Sequence, residues 1–158
     1  FNIVYYKHFM KKKRNIFPFK RPYVFVPMCI DYLHHGHINI LIKAKKFGKV
    51  IVGLMTDKTI LSYKKRKPII KFNNRKKIVE NLKIVDFVIP LKALNYPGDA
   101  TKYKFDYFIH GTDWRKGPQL ENRKQLIKTM RKWQGKVIEI PYTKGISSLK
   151  IRKYRRKN

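Results

Sequence analysis

The sequence predicts an α/β domain with a parallel five-stranded sheet and helices on both faces. Three observations lead there. Short apolar runs rich in β-branched and aromatic residues recur along the chain, and amphipathic helical stretches alternate with them. The first such run, Tyr23-Val24-Phe25-Val26, a polar turn over Asp31–Gly36, a helix over His37–Phe47 and a second run, Lys49–Met55, make one strand–helix–strand unit. The polar residues with chemical potential gather in the turns that follow strands, where open α/β sheets bind ligands. Strands alternating with helices imply a parallel, Rossmann-like sheet covered on both sides.

The remaining elements follow in order. Ile38, Leu41, Ile42 and Ala44 keep helical spacing, and Gly48 stops that helix. Ser62 to Lys71 reads as a basic, loop-like segment. A helix over Asn73–Lys83 comes next, with Ile78, Val79 and Leu82 inward, then a strand over Asp86–Pro90. Asn95-Tyr96-Pro97-Gly98 reads as a turn, Phe105–His110 as a fourth strand and 121–133 as a helix. Lys136–Ile140 makes the fifth strand and Ser147–Tyr154 a closing helix. Residues 1–21, with a basic cluster at Lys11–Arg14 and punctuation by Pro18 and Pro22, read as an N-terminal extension or linker ahead of a domain over 22–158.

Composition narrows the classes. A hydrophobic fraction of 43% with 14% aromatics is that of a folded chain despite its charge. No run of about 18 apolar residues is present, so no membrane span is expected. The basic cluster follows the apolar start, the reverse of a secretory signal, and the single cysteine, Cys29, excludes an internal disulfide. A reducing, cytoplasmic setting is expected, and the lack of an initial Met suggests a partial chain. The net charge of +30 is the signature of a nucleic-acid binder. However, lysine outnumbers arginine, the charges spread along the whole chain, and the Lys, Ile, Asn, Phe and Tyr richness matches an A/T-rich coding sequence. No specific nucleic-acid partner is therefore expected, although a basic binding module stays open as an alternative.

The densest chemistry lies in Asp31-Tyr32-Leu33-His34-His35-Gly36-His37, at a strand-to-helix turn. A helix N-terminus there offers free N–H groups, Gly36 admits an anion to the backbone, and His34 and His37 can meet one phosphate. A zinc site on the histidines is the competing reading, but no cysteine or clear carboxylate completes it.

This segment resembles the HxGH motif of the cytidylyltransferase branch of the nucleotidyltransferases, with His34, Gly36 and His37 in its places. Gly145-Ile146-Ser147-Ser148 resembles that family's second motif. The runs HHGHIN (His34–Asn39), VGLMTDK (Val52–Lys58), SYKK (Ser62–Lys65), HGTDW (His110–Trp114) and IPYTKGISS (Ile140–Ser148) are similar to phosphonate cytidylyltransferases of the 2-aminoethylphosphonate type, which are sometimes fused to phosphoenolpyruvate mutase. The likeness runs from about Tyr23 to Lys153. It implies transfer of CMP from CTP, with Mg²⁺, to a small phosphonate or phosphate acceptor. His34, His37 and Lys64 would be catalytic. Asp31, Gly36, Asp57, Asp113, Trp114, Gly145, Ile146, Ser147 and Ser148 would bind nucleotide, while Arg75 and Lys144 would hold substrate or phosphates; no metal ligand is assigned. The family suggests a homodimer. Choline-, ethanolamine- or glycerol-phosphate enzymes, an adenylyltransferase and an inactive relative are the alternatives on this fold. Two departures stand out: Met28-Cys29 replaces the common Gly-Thr, and Tyr142 stands where many relatives have Arg.

Overall fold

The computed structural model describes residues 16–155. Five strands form one sheet: β1 (Tyr23–Met28), β2 (Lys49–Met55), β3 (Phe87–Leu91), β4 (Tyr107–Gly111) and β5 (Lys136–Ile140). Their order is β3-β2-β1-β4-β5 and every pairing is parallel, as the alternation requires. The order reverses on either side of β1, so the carboxyl ends of β1 and β4 open the crevice of the switch point.

Successive residues of β1 point to opposite faces, and each face carries its own core. Tyr23 and Phe25 join Ile51, Ile60, Tyr96, Phe108 and Leu126 on one side. Val24 and Val26 join Leu41, Val50, Val52 and Val79 on the other. The first face is covered by α2 (Asp57–Lys64), α4 (Tyr96–Tyr103) and α5 (Leu120–Met130), and the second by α1 (His35–Lys45) and α3 (Phe72–Glu80). A last helix, α6 (Ser148–Arg155), closes over the switch point. No helix among the described residues is long and apolar enough to cross a membrane.

Four local expectations need correction. Asn95-Tyr96-Pro97-Gly98 is a helix start, because the Asn95 side chain accepts from Gly98 N at 3.1 Å and Pro97 suits the first turn. Ser62–Lys64 are helical: Thr56 caps α2 by accepting from Thr59 N, and Lys65 ends the helix in the left-handed region at φ 52°. Ile78 points outward, 41% exposed, because the inward face of α3 is carried by Phe72, Arg75 and Val79. The supposed extension also contributes to the domain. Phe17 is 3% exposed, edge-on to Tyr23 at 5.0 Å and Phe87 at 5.3 Å, so the packed unit begins before residue 22. Residues 1–15, the rest of that segment, lie outside the described residues.

Phe17→Ala should lower stability by about 3 kcal/mol, the usual cost of emptying a buried aromatic site, read as a shift in the urea midpoint. An unshifted midpoint would return Phe17 to a dispensable extension.

Candidate active site

A cavity of about 270 Å³ opens at the carboxyl ends of β1 and β4. Its first wall is the His34–His37 turn. His34 is extended, φ −146° and ψ 166°, and caps α1: its Nδ1 accepts from Gly36 N at 3.1 Å. His37 answers, its Nδ1 accepting from His34 N at 3.3 Å. The two rings sit 3.9 Å apart. A side chain on residue 36 would come within 2.9 Å of His34 Nδ1, which explains the glycine between them. Spacing of three is what a reciprocal cap needs.

This cap fixes the protonation pattern. Nδ1 of each ring accepts, so the neutral imidazole carries its proton on Nε2. Burial holds His37 down to about 3, helped by the neighbouring His34 and the Lys64 charge. Burial and His35 lower His34 as well. Both rings are neutral near pH 7 and offer Nε2–H groups as donors.

The opposite end of the chain meets them. Ser147 precedes and caps α6, its Oγ accepting from Lys150 N at 3.2 Å and its carbonyl from Ile151 N at 3.1 Å. Ser148 Oγ lies 3.4 Å from His34 Nε2. Gly145 has φ +87°, the conformation that lets the chain turn into this helix. Ile146, Ser147 and Ser148 line the cavity, whereas Lys144 is exposed and stands outside the wall. Asn39 Nδ2 donates to Thr143 Oγ1 at 3.3 Å, a second tie between the two motif segments.

Lys64, the last residue of α2, lines the cavity with Arg66 and, from α1, Lys43. Asp113 is also on the wall, its side chain 57% exposed. Cys29 and Tyr142, the two departures from the family pattern, both line the cavity.

Four expected ligand residues stand behind the wall. Arg75 is fully buried: Nε donates to Ile70 O at 2.8 Å, Nη1 to Cys29 O at 2.7 Å and Met55 O at 2.8 Å, and Nη2 to Asp57 at 2.6 Å. It fastens strand ends and does not reach the cavity. Asp57 is committed to Arg75 and to Phe72 N. Asp31, 1% exposed, accepts from Ile69 N at 2.6 Å, Ile70 N at 3.2 Å, Arg66 at 3.3 Å and Arg152 at 3.4 Å. Trp114, 2% exposed, does not line the cavity: it stacks beneath His110 at 4.0 Å and donates from Nε1 to Glu139 at 2.6 Å. His110, which the sequence reading left out of the site, is on the wall and donates from Nδ1 to Gly111 O at 3.0 Å. Tyr63 and Gln119 were also missed and also line it.

A sheet switch point, two helix N-termini, paired neutral histidines and a lysine make a phosphate-handling nucleotidyltransferase-type site. The chain belongs to the cytidylyltransferase-like family, whose pattern matches residues 26–154, and is an enzyme of the cytidylyltransferase type. It is 35% identical over 124 residues to glycerol-3-phosphate cytidylyltransferase of Bacillus subtilis (strain 168), covering 77% of this chain and 88% of that protein. It is 31% identical over 134 residues to ethanolamine-phosphate cytidylyltransferase of Arabidopsis thaliana, covering 81% of this chain and 31% of that one. Among solved structures it resembles the lipopolysaccharide core biosynthesis protein from Thermoplasma volcanium GSS1, at TM-score 0.64 and 26% identity over 77% of this chain and 97% of that one. Pantoate-beta-alanine ligase from Francisella tularensis shares the fold, at TM-score 0.56 and 19% identity over 90% of this chain and 72% of that one.

The buried histidine has a consequence for stability. An unfolded His37 takes a proton below its ordinary value of 6.5, whereas the folded one resists until about 3. The unfolded state therefore gains protons first, and stability falls as pH drops through that window. Between pH 7.5 and 5.5 the wild type should lose about 1 kcal/mol more than His37→Gln, measured by urea titration at both pH values. Parallel losses would show that His37 is not held neutral.

Proposed function

We propose that this chain transfers CMP from CTP to an oxygen of a small phosphonate or phosphate monoester and releases pyrophosphate. The observation that carries the reading is the meeting of His34 and Ser148 across one cavity, which joins the turns before α1 and α6. The acceptor oxygen is already ionised near neutral pH, so no general base is required. The O–Pα bond forms as the bond from Pα to the bridging β-phosphate oxygen breaks, and the electron pair leaves with pyrophosphate. The protein's task is alignment and charge relief. His34 and His37 donate Nε2–H to phosphate oxygens, and they are set in place by the cap before substrate arrives. Lys64 supplies a cation between the two reactants, and Ser147, Ser148 and the N–H groups of α6 hold the far end of the triphosphate.

Mg²⁺ fits this site as a companion of the nucleotide. Among the described residues no three metal-binding side chains cluster, and Asp113 is the one carboxylate on the cavity wall. A magnesium ion keeps several waters and is held chiefly by phosphates, so Asp113 would hold one of those waters. When bound, the ion offsets triphosphate charge.

For the acceptor, 2-aminoethylphosphonate is favoured by the HHGHIN, SYKK and IPYTKGISS runs, which are similar to the phosphonate enzymes. A second reading, glycerol 3-phosphate, is supported by the 35% identity to the Bacillus subtilis protein. The deciding assay is pyrophosphate release from CTP and Mg²⁺ with 2-aminoethylphosphonate, phosphoethanolamine, phosphocholine and glycerol 3-phosphate in separate reactions, with ATP as the nucleotide control. Turnover should appear with CTP and fall about 100- to 1000-fold in His37→Ala. A His37→Ala enzyme near wild-type rate would defeat the mechanism, and turnover with glycerol 3-phosphate alone would defeat the phosphonate assignment.

A further inference from the structure

We infer that Tyr63 is a substrate-contacting donor of this site, and that Gln119 sets the direction of its hydroxyl. The inference rests on the phosphoryl-transfer reading above. Tyr63 precedes Lys64 on α2, and Gln119 closes the 3₁₀ turn Gly117–Gln119 that follows β4, so two distant chain segments bring them together. Both line the cavity, and Gln119 is only 7% exposed. Its Nε2 donates to Tyr63 Oη at 2.6 Å.

An amide N–H occupies a lone pair of the phenol oxygen and leaves the phenol proton to be donated elsewhere. Tyr63 Oη has no other partner among the described side-chain bonds, and it stands on a wall that also carries Lys64, Arg66 and Lys43. A ligand atom drawn to that wall is an anionic oxygen, which is an acceptor. The hydroxyl therefore donates to a phosphate or phosphonate oxygen, belonging either to the triphosphate or to the acceptor head group. Gln119 holds this arrangement without a network behind it. Its Oε1 is buried and unpartnered, so the contact to Tyr63 is the single side-chain hydrogen bond of Gln119 among the described residues.

Tyr63→Phe removes the donor and keeps the ring. It should lower kcat/KM about 10- to 100-fold, the usual worth of a hydrogen bond to a charged group. A raised KM for CTP would assign the bond to the triphosphate, and a raised KM for the phosphonate or phosphate to the acceptor. Gln119→Met should cost several-fold in the wild type and nothing further in Tyr63→Phe, since its effect runs through the hydroxyl. Circular dichroism and thermal midpoints of all variants keep folding losses separate. Equal kcat/KM in Tyr63→Phe overturns the inference. So does additive loss in the double variant, or a Gln119→Met enzyme at or above wild-type rate, which would mean the hydroxyl already donates to the amide. Wild-type protein that releases no pyrophosphate with any acceptor refutes the transfer reading instead. The pair is then judged by calorimetry with CTP and with 2-aminoethylphosphonate, where unchanged Kd for both in Tyr63→Phe overturns it.

Discussion

The guanidinium of Arg75 holds the carboxyl ends of β1 and β2 in register, and the cavity depends on it. Parallel strands that stop at a switch point leave carbonyls with no further ladder partner. Cys29 O and Met55 O are two such groups, and one arginine nitrogen takes both. A fully buried cation is costly unless its donors are used and its charge is paired. Ile70 O and Asp57 complete the set. Asp31 then extends the frame from the turn beyond β1. Its carboxylate collects two backbone N–H groups from residues 69 and 70 and side chains from Arg66 and Arg152. The basic segment after α2 and the final helix are thus fastened to the same strand end, and the cationic wall is carried into place over the histidines.

The electrostatics follow from scarcity. Nine acidic residues face 39 lysines and arginines. Most of the acids whose contacts are described act as internal ties. Asp106 accepts from Tyr23 N at 2.6 Å and Asp86 from Val50 N at 2.8 Å, closing the starts of β1 and β2. Glu139 takes Trp114, Arg115 and Arg123, and the Arg123 bond leads the effects that pull its carboxyl down to about 2. With the carboxylates engaged in the fold, much of the basic surface is left without acidic neighbours. Such a surface favours the approach of anions in general, an attraction that weakens with salt and carries no reading of sequence.

The sheet and the two turns that meet at the cavity were legible because each is a local pattern. Alternating apolar runs specify buried parallel strands, and histidines spaced by three around a glycine specify a capped helix start. What the sequence could not separate was facing from backing. Asp31, Asp57, Arg75 and Trp114 all lie near strand ends, as ligand-binding residues do. Burial sets Asp31, Arg75 and Trp114 apart, and engagement with Arg75 and Phe72 N sets Asp57 apart; both depend on partners far away in the chain, such as Glu139 behind Trp114 or Arg152 beside Asp31. Tyr63 and Gln119 escape a local reading for the same reason, since their contact joins helix α2 to a 3₁₀ turn more than fifty residues further along the chain. Residues 17–21 read as an appendage because their basic, proline-punctuated surroundings mask two phenylalanines that pack on the sheet.

The cap and the reaction place the same demand on the histidine turn. Gly36 N and His34 N are N–H groups that a helix start leaves without carbonyl partners. Using Nδ1 of the two imidazoles to satisfy them forces the protons onto Nε2. Burial disfavours a second proton, so the rings face the cavity as neutral donors with fixed orientation. A charged imidazolium would lose its acceptor atom and break the cap. Folding of the first turn of α1 therefore selects the tautomer that the proposed transfer calls for. In that proposal Lys64 and Arg66, on the same cavity wall, would supply charge, and the histidines direction.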